Sequence, residues 1–141
     1  MPLRAHAGID IQLDVTITSA RMREAGLRPH LLTRSSTQHM YWSVAQMVTH
    51  HTSNGCDLRS GDLLGSGTLS GPDPGTEGSM LELTRGGTAP IVLPTGEERS
   101  FVDDGDEITM TARTRRPGYP TIGFGYCVST VQPAPAKGEA L

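Results

Sequence analysis

The chain has 141 residues, with 12 basic and 15 acidic side chains for a net charge of −3, 17 glycines and 10 prolines. That length is one domain or a large piece of one, and only one tryptophan, three tyrosines and two phenylalanines are available to fill a core. No aliphatic run approaches the roughly 20 residues of a membrane helix, the N-terminal MPLRAHAGID has no apolar signal region, and the scattered basic residues leave no nucleic-acid footprint.

In chain order, residues 8–18 come first. Ile9, Ile11, Leu13, Val15 and Ile17 alternate with Asp10, Gln12, Asp14, Thr16 and Thr18, which predicts a half-buried strand. Residues 19–34 carry mixed charge, Gly26 and Pro29, and read as a loop. Ser35-x-x-Gln38 has capping-box spacing. Met40, Tyr41, Val44, Met47, Val48 and His51 then recur at three- and four-residue steps, predicting one helix near 37–51 that Asn54-Gly55 ends. The remainder reads as β-structure, with apolar runs at 62–69, 79–84, 88–93, 99–102, 107–112 and 121–131. Gly86-Gly87, Thr95-Gly96 and Asp104-Gly105-Asp106 are turn sequences, because they supply positive φ cheaply. From Gln132 the chain is rich in Pro, Ala, Lys and Gly and is expected to fray. The expected fold class is α+β, mostly β, with that single helix.

Few constellations suggest chemistry. Cys56 and Cys127 make neither a disulfide framework nor a zinc set, and read as reduced, small hydrophobes of a cytoplasmic protein. His50 and His51 point about 100° apart on a helix, so they cannot share a metal. The plainer reading packs one against the sheet and sets the other at the helix C-terminus, where a cation favours the dipole. Asp103-Asp104-Gly105-Asp106-Glu107 lacks the spacing of a calcium loop and reads as a solvated turn. Glu82, read on a strand with Met80 and Thr84 on its face, is either an ordinary polar position or a partly desolvated carboxylate with a raised pKa, suited to base work or to orienting a histidine. Gly65-Ser66-Gly67-Thr68-Leu69-Ser70-Gly71 is either a tight strand crossing or a place where a ligand approaches backbone and the Thr68 hydroxyl meets a carboxylate.

The order of several segments is more specific. His39-Met40-Tyr41-Trp42, Thr49-His50-His51, Ser53-Asn54-Gly55-Cys56, Leu58-Arg59 and Gly61-Asp62-Leu63-Leu64 are followed by Ser66-Gly67-Thr68 and Gly78-Ser79-Met80-Leu81-Glu82-Leu83. Asp104-Gly105-Asp106-Glu107 and Ile122-Gly123-Phe124-Gly125 complete the series. Together they resemble the C-terminal part of the catalytic domain of the fumarylacetoacetate hydrolase family, from about residue 10 to residue 133. The Met40-Tyr41-Trp42 and Thr49-His50-His51 stretches are similar to the fumarylacetoacetase branch in particular.

The resemblance implies part of a mixed β-roll, and an enzyme that hydrolyses a carbon–carbon bond of fumarylacetoacetate, giving fumarate and acetoacetate at the end of tyrosine and phenylalanine breakdown. It implies a cytoplasmic homodimer, a small diketo acid substrate, magnesium or calcium as cofactor, and water activated by a histidine that a glutamate orients. Glu82 matches that glutamate. Thr68 matches the threonine that contacts a substrate carboxylate, and Gly67 lies beside it. The metal ligands and the catalytic histidine are expected upstream, and none of the five histidines occupies the catalytic position. Residues 1–133 are therefore expected to be a C-terminal portion of such a domain and 134–141 a flexible tail. Met1 is read as the start of a truncated frame, and the chain alone is expected to fold poorly and to be inactive. Two other roles fit the same residues: a related decarboxylase, isomerase or hydratase, and a non-catalytic β-rich module that pairs with a full-length homologue.

Overall fold

The computed structural model describes residues 9–135, so the expectations for the first eight residues and for the tail beyond 135 lie outside the described residues. The longest alternating runs form the sheet. β1 (Gln12–Thr18), β2 (His30–Ser36), β5 (Glu107–Thr114) and β6 (Ile122–Thr130) pair antiparallel in the order β2-β1-β5-β6. A small hairpin, β3 (Ile91–Val92) and β4 (Glu98–Arg99), stands apart as a two-stranded sheet. The helices are α1 (Ala20–Glu24), α2 (Val44–Thr52) and α3 (Met80–Leu83), with a 3₁₀ turn at Thr37–His39. This is the expected α+β, mostly β class.

The core is small. Among the described residues Ile17, Met22, Leu32 and Leu93 are the buried apolar side chains, with Val15, Met80, Leu83, Ile91 and Ile108 packed against them. Each such burial contributes about 2 kcal/mol. The cluster draws on β1, β2, β5, α1, α3 and the β3–β4 hairpin, so it lies on one face of the sheet beside α3. β6, by contrast, is exposed along nearly its whole length, with Phe124 60% and Tyr126 82% accessible.

Several expectations need correction. Residues 19–34 are not a loop. Ser19 caps α1 by accepting from the Met22 N–H at 3.1 Å, Gly26 turns the chain at φ 62°, and β2 follows. β2 escaped a period-two reading because it is bulged: Val15 faces Thr33 and Thr16 faces Leu31, leaving Leu32 as the extra residue. Leu32 and Thr33 are consequently both buried.

The capping box lies eight residues later than its first candidate. Ser43 Oγ accepts from the Gln46 N–H at 3.3 Å and Gln46 Oε1 accepts from the Ser43 N–H at 2.9 Å. Ser35 instead ends up in β2, where its hydroxyl donates to Leu69 O. α2 buries none of its residues, and it ends before Gly55 at φ 84°. Residues 62–69 form no strand, and Leu63 is almost fully exposed. Residues 79–84 are a helical turn, with Met80, Leu83 and the fully buried Thr84 inward and Leu81 and Glu82 outward. An i, i+3, i+4 set replaces the expected alternation.

Nor is the acidic turn solvated throughout. Asp106 is 1% exposed and forms a bidentate pair with Arg99, at 2.8 and 3.1 Å. The two cysteines are free, in line with the reading as reduced residues, and both are exposed.

Candidate functional site

The site grows from two short segments. The first, residues 66–71, runs without regular secondary structure and is fastened to β2. Ser35 Oγ donates to Leu69 O at 2.7 Å, and just beyond the segment the Arg34 N–H and Thr33 Oγ1 both donate to Gly75 O, at 2.9 and 3.0 Å. The second is the start of α3. Ser79 Oγ accepts from the Glu82 N–H at 3.3 Å, and Glu82 at the third helical position reaches back toward the start of its own turn.

The Glu82 carboxylate joins the two segments through a single oxygen. Oε2 accepts from Ser70 Oγ at 2.7 Å, the Gly78 N–H at 3.0 Å and Ser79 Oγ at 3.2 Å. The Gly78 N–H is shared with Ser70 Oγ at 3.1 Å. All three of these contacts fall on Oε2 and none on Oε1, and the Ser79 N–H adds a weaker backbone interaction with the same carboxylate. Glu82 is exposed, and the Ser70 hydrogen bond above all, opposed by desolvation and helped by the weaker bonds from the Ser79 hydroxyl, the Gly78 N–H and the Ser79 N–H, holds its carboxyl below the usual carboxylate range. The raised pKa expected from apolar neighbours on a strand is thus reversed, because the neighbours are hydroxyls and a backbone N–H.

Thr68 stands exposed two residues before Ser70, and its hydroxyl has no hydrogen-bond partner among the described residues. Gly67 adopts φ 75°, a conformation that favours glycine. Gly78 brings Thr68 and Glu82 together. A Cβ there would strike Thr68 Cγ2 and come within 2.8 Å of Leu69 O. Glu82, Thr68 and Gly67 therefore share one small region.

Ser70, Ser79 and Gly78 were absent from the expected site residues. The spacing Ser79-x-x-Glu82 is itself a capping-box signature. It was masked by the apolar Met80, Leu81 and Leu83, which read as a strand. Ser70 lies 12 residues from Glu82 and left no local signal.

The remaining candidates stay apart. His50 meets the Trp42 ring edge-on at 4.8 Å and His51 Nε2 lies 3.3 Å from Cys56 Sγ, so neither packs on the sheet, although both occupy the last turn of α2. A cavity of about 730 Å³ opens between α2 and residues 64–69 with Met40, Trp42, Met47 and Leu69 among its lining; neither Glu82 nor Thr68 reaches it. Among the described residues no three His, Cys, Asp or Glu side chains are grouped to hold a metal ion, and no helix is long and apolar enough to cross a membrane.

Residues 10–132 match the family model described as the fumarylacetoacetate hydrolase C-terminal region. The chain belongs to the fumarylacetoacetate hydrolase family. It is similar to the fumarylacetoacetases of Homo sapiens at 47% identity over 125 residues, Dictyostelium discoideum at 44% over 127 and Arabidopsis thaliana at 40% over 126. Each of these alignments covers 89% of this chain. The chain spans 28–29% of the length of these family relatives.

Proposed function

We propose that this chain forms the C-terminal part of a fumarylacetoacetase, an enzyme that splits the carbon–carbon bond of fumarylacetoacetate with water to give fumarate and acetoacetate in the breakdown of tyrosine and phenylalanine. What carries the reading is the Glu82 carboxylate, held through Oε2 by three neutral donors, in one small region with the exposed Thr68 hydroxyl.

Each residue then has a physical task. Glu82 Oε1 accepts the N–H of an imidazole supplied by the upstream part of the enzyme, fixes its tautomer and supports the imidazolium formed when water gives up a proton. The water oxygen attacks the substrate carbonyl carbon. The carbon–carbon bond breaks with its electron pair leaving as the enolate of acetoacetate, which then takes a proton. Thr68 donates to a substrate carboxylate, and Gly67 lets the substrate approach the backbone closely. Magnesium or calcium serves the complete enzyme in this proposal. The described residues of this chain do not fit a cation site, so its ligands belong upstream, and no step above passes through it. The complete enzyme is a cytoplasmic homodimer by the same family resemblance.

The test is hydrolysis of fumarylacetoacetate by the full enzyme in which this chain is the C-terminal part, with oxaloacetate as the competing substrate. Turnover of fumarylacetoacetate alone supports the proposal. Preference for oxaloacetate shifts it to a decarboxylase, and a stable complex with a full-length homologue that turns over neither substrate points to a binding module.

A further inference from the structure

Within the Glu82 site, three donors converge on one carboxylate oxygen. A glutamate on an exposed helical turn ordinarily samples several rotamers and presents either oxygen. Here Ser70 Oγ, Ser79 Oγ and the Gly78 N–H all reach Oε2. Two of these donors come from the turn that carries Glu82. Ser70 comes from the other segment, whose neighbour Leu69 is hydrogen-bonded to Ser35 of β2 at 2.7 Å. The carboxylate is therefore tied to the sheet as well as to its own helix.

We propose that Ser70 and Ser79 are positioning residues that lock Oε2 of Glu82, so that Oε1 alone is offered to the imidazole at one fixed angle. This rests on the proposal that Glu82 orients the catalytic histidine. Neutral hydroxyl donors suit the task. They hold the carboxylate as an anion without neutralising it, so its full charge faces the imidazolium, whereas a cation in the same place would compete for it. Ser70 also couples two functions, because it lies two residues from Thr68. A substrate carboxylate bound at Thr68 and the histidine partner at Glu82 are thus set from one short segment.

The experiment compares Ser70→Ala, Ser70→Thr and Glu82→Gln in the full enzyme. Removing the hydroxyl is expected to lower kcat about tenfold, to leave KM within about twofold of the parent, and to move the acid limb of the kcat profile to higher pH, because the carboxylate loses its strongest stabilising donor. Ser70→Thr keeps a hydroxyl and restores most of kcat. Parental kcat and acid limb in Ser70→Ala, with Glu82→Gln inactive, would overturn the positioning role while leaving Glu82 in place. An active Glu82→Gln would overturn both. Carboxyl ¹³C titration of Glu82 in the full enzyme gives an answer independent of turnover: a higher titration in Ser70→Ala supports the proposal, and an unchanged one sinks it.

Discussion

Asp106 and Glu82 are both carboxylates gripped by several donors, and they are gripped in opposite ways. Asp106 is buried and uses both oxygens. Oδ1 takes Arg99 Nη2 at 3.1 Å, and Oδ2 takes Arg99 Nε at 2.8 Å and the Asp103 N–H at 2.9 Å. Glu97 extends the same knot, with Oε1 on Arg99 Nη2 at 3.1 Å and Oε2 on the hydroxyls of Ser19 and Thr95 at 2.5 Å each. Every carboxylate oxygen of Asp106 and Glu97 is engaged among the described residues. Glu82 is exposed, meets only neutral donors and gathers its three close contacts on Oε2, away from Oε1. A buried charge must be paired and saturated or it costs stability. A carboxylate that has to receive a partner needs an open lone pair, and that is affordable only where water can fill it until the partner arrives.

The largest expected effect breaks the saturated cluster. Arg99→Met leaves Asp106 and Glu97 facing each other without their cation, and is expected to destabilise the fold by about 3–5 kcal/mol, read as a lowered urea midpoint. Glu82→Gln, placed beside it, should leave that midpoint close to the parent's, because the side chain is exposed. A comparable loss in both variants would erase the contrast.

Acid sharpens it next. The Ser19 hydrogen bond first, then Thr95, with Arg99 assisting, lowers the Glu97 pKa from 4.5 to about 2. A folded-state pKa below the unfolded one contributes stability that is fully present above pH 4.5 and drains away as the pH falls toward 2. Midpoints measured across that window should fall in the parent and fall less steeply in Glu97→Gln.

The smallest effect concerns α2. Ser43→Ala removes one half of its capping box and is expected to cost about 1 kcal/mol locally. Because α2 buries nothing, amide exchange in that helix should quicken while the global midpoint stays put.

The same contrast explains how much could be read in advance. β1 is legible because alternation over seven residues has one simple meaning, and β5 and β6 because apolar runs of eight and nine residues are bounded by turn sequences. β2 is not, since the bulge at Leu32 puts two consecutive residues inside and destroys the period. α3 is not legible, because four residues are too few to separate a helical from an alternating pattern and the apolar Met80, Leu81 and Leu83 outweigh the Ser79 cap. Glu82, Thr68 and Gly67 came from the order of family motifs rather than from periodicity. Their grouping depends on Gly78, whose missing Cβ admits Thr68, and on Ser70 reaching across 12 residues. Such contacts are set by tertiary packing and leave no trace in local spacing.

The central claim is that Glu82 serves chemistry and Asp106 serves the fold. The measurement that tests it most directly is the turnover of fumarylacetoacetate by the full enzyme carrying Glu82→Gln, taken with its unfolding midpoint. The predicted result is a loss of kcat of about a hundredfold or more with an unchanged midpoint. Full activity in Glu82→Gln would contradict the account, as would activity lost only in step with stability.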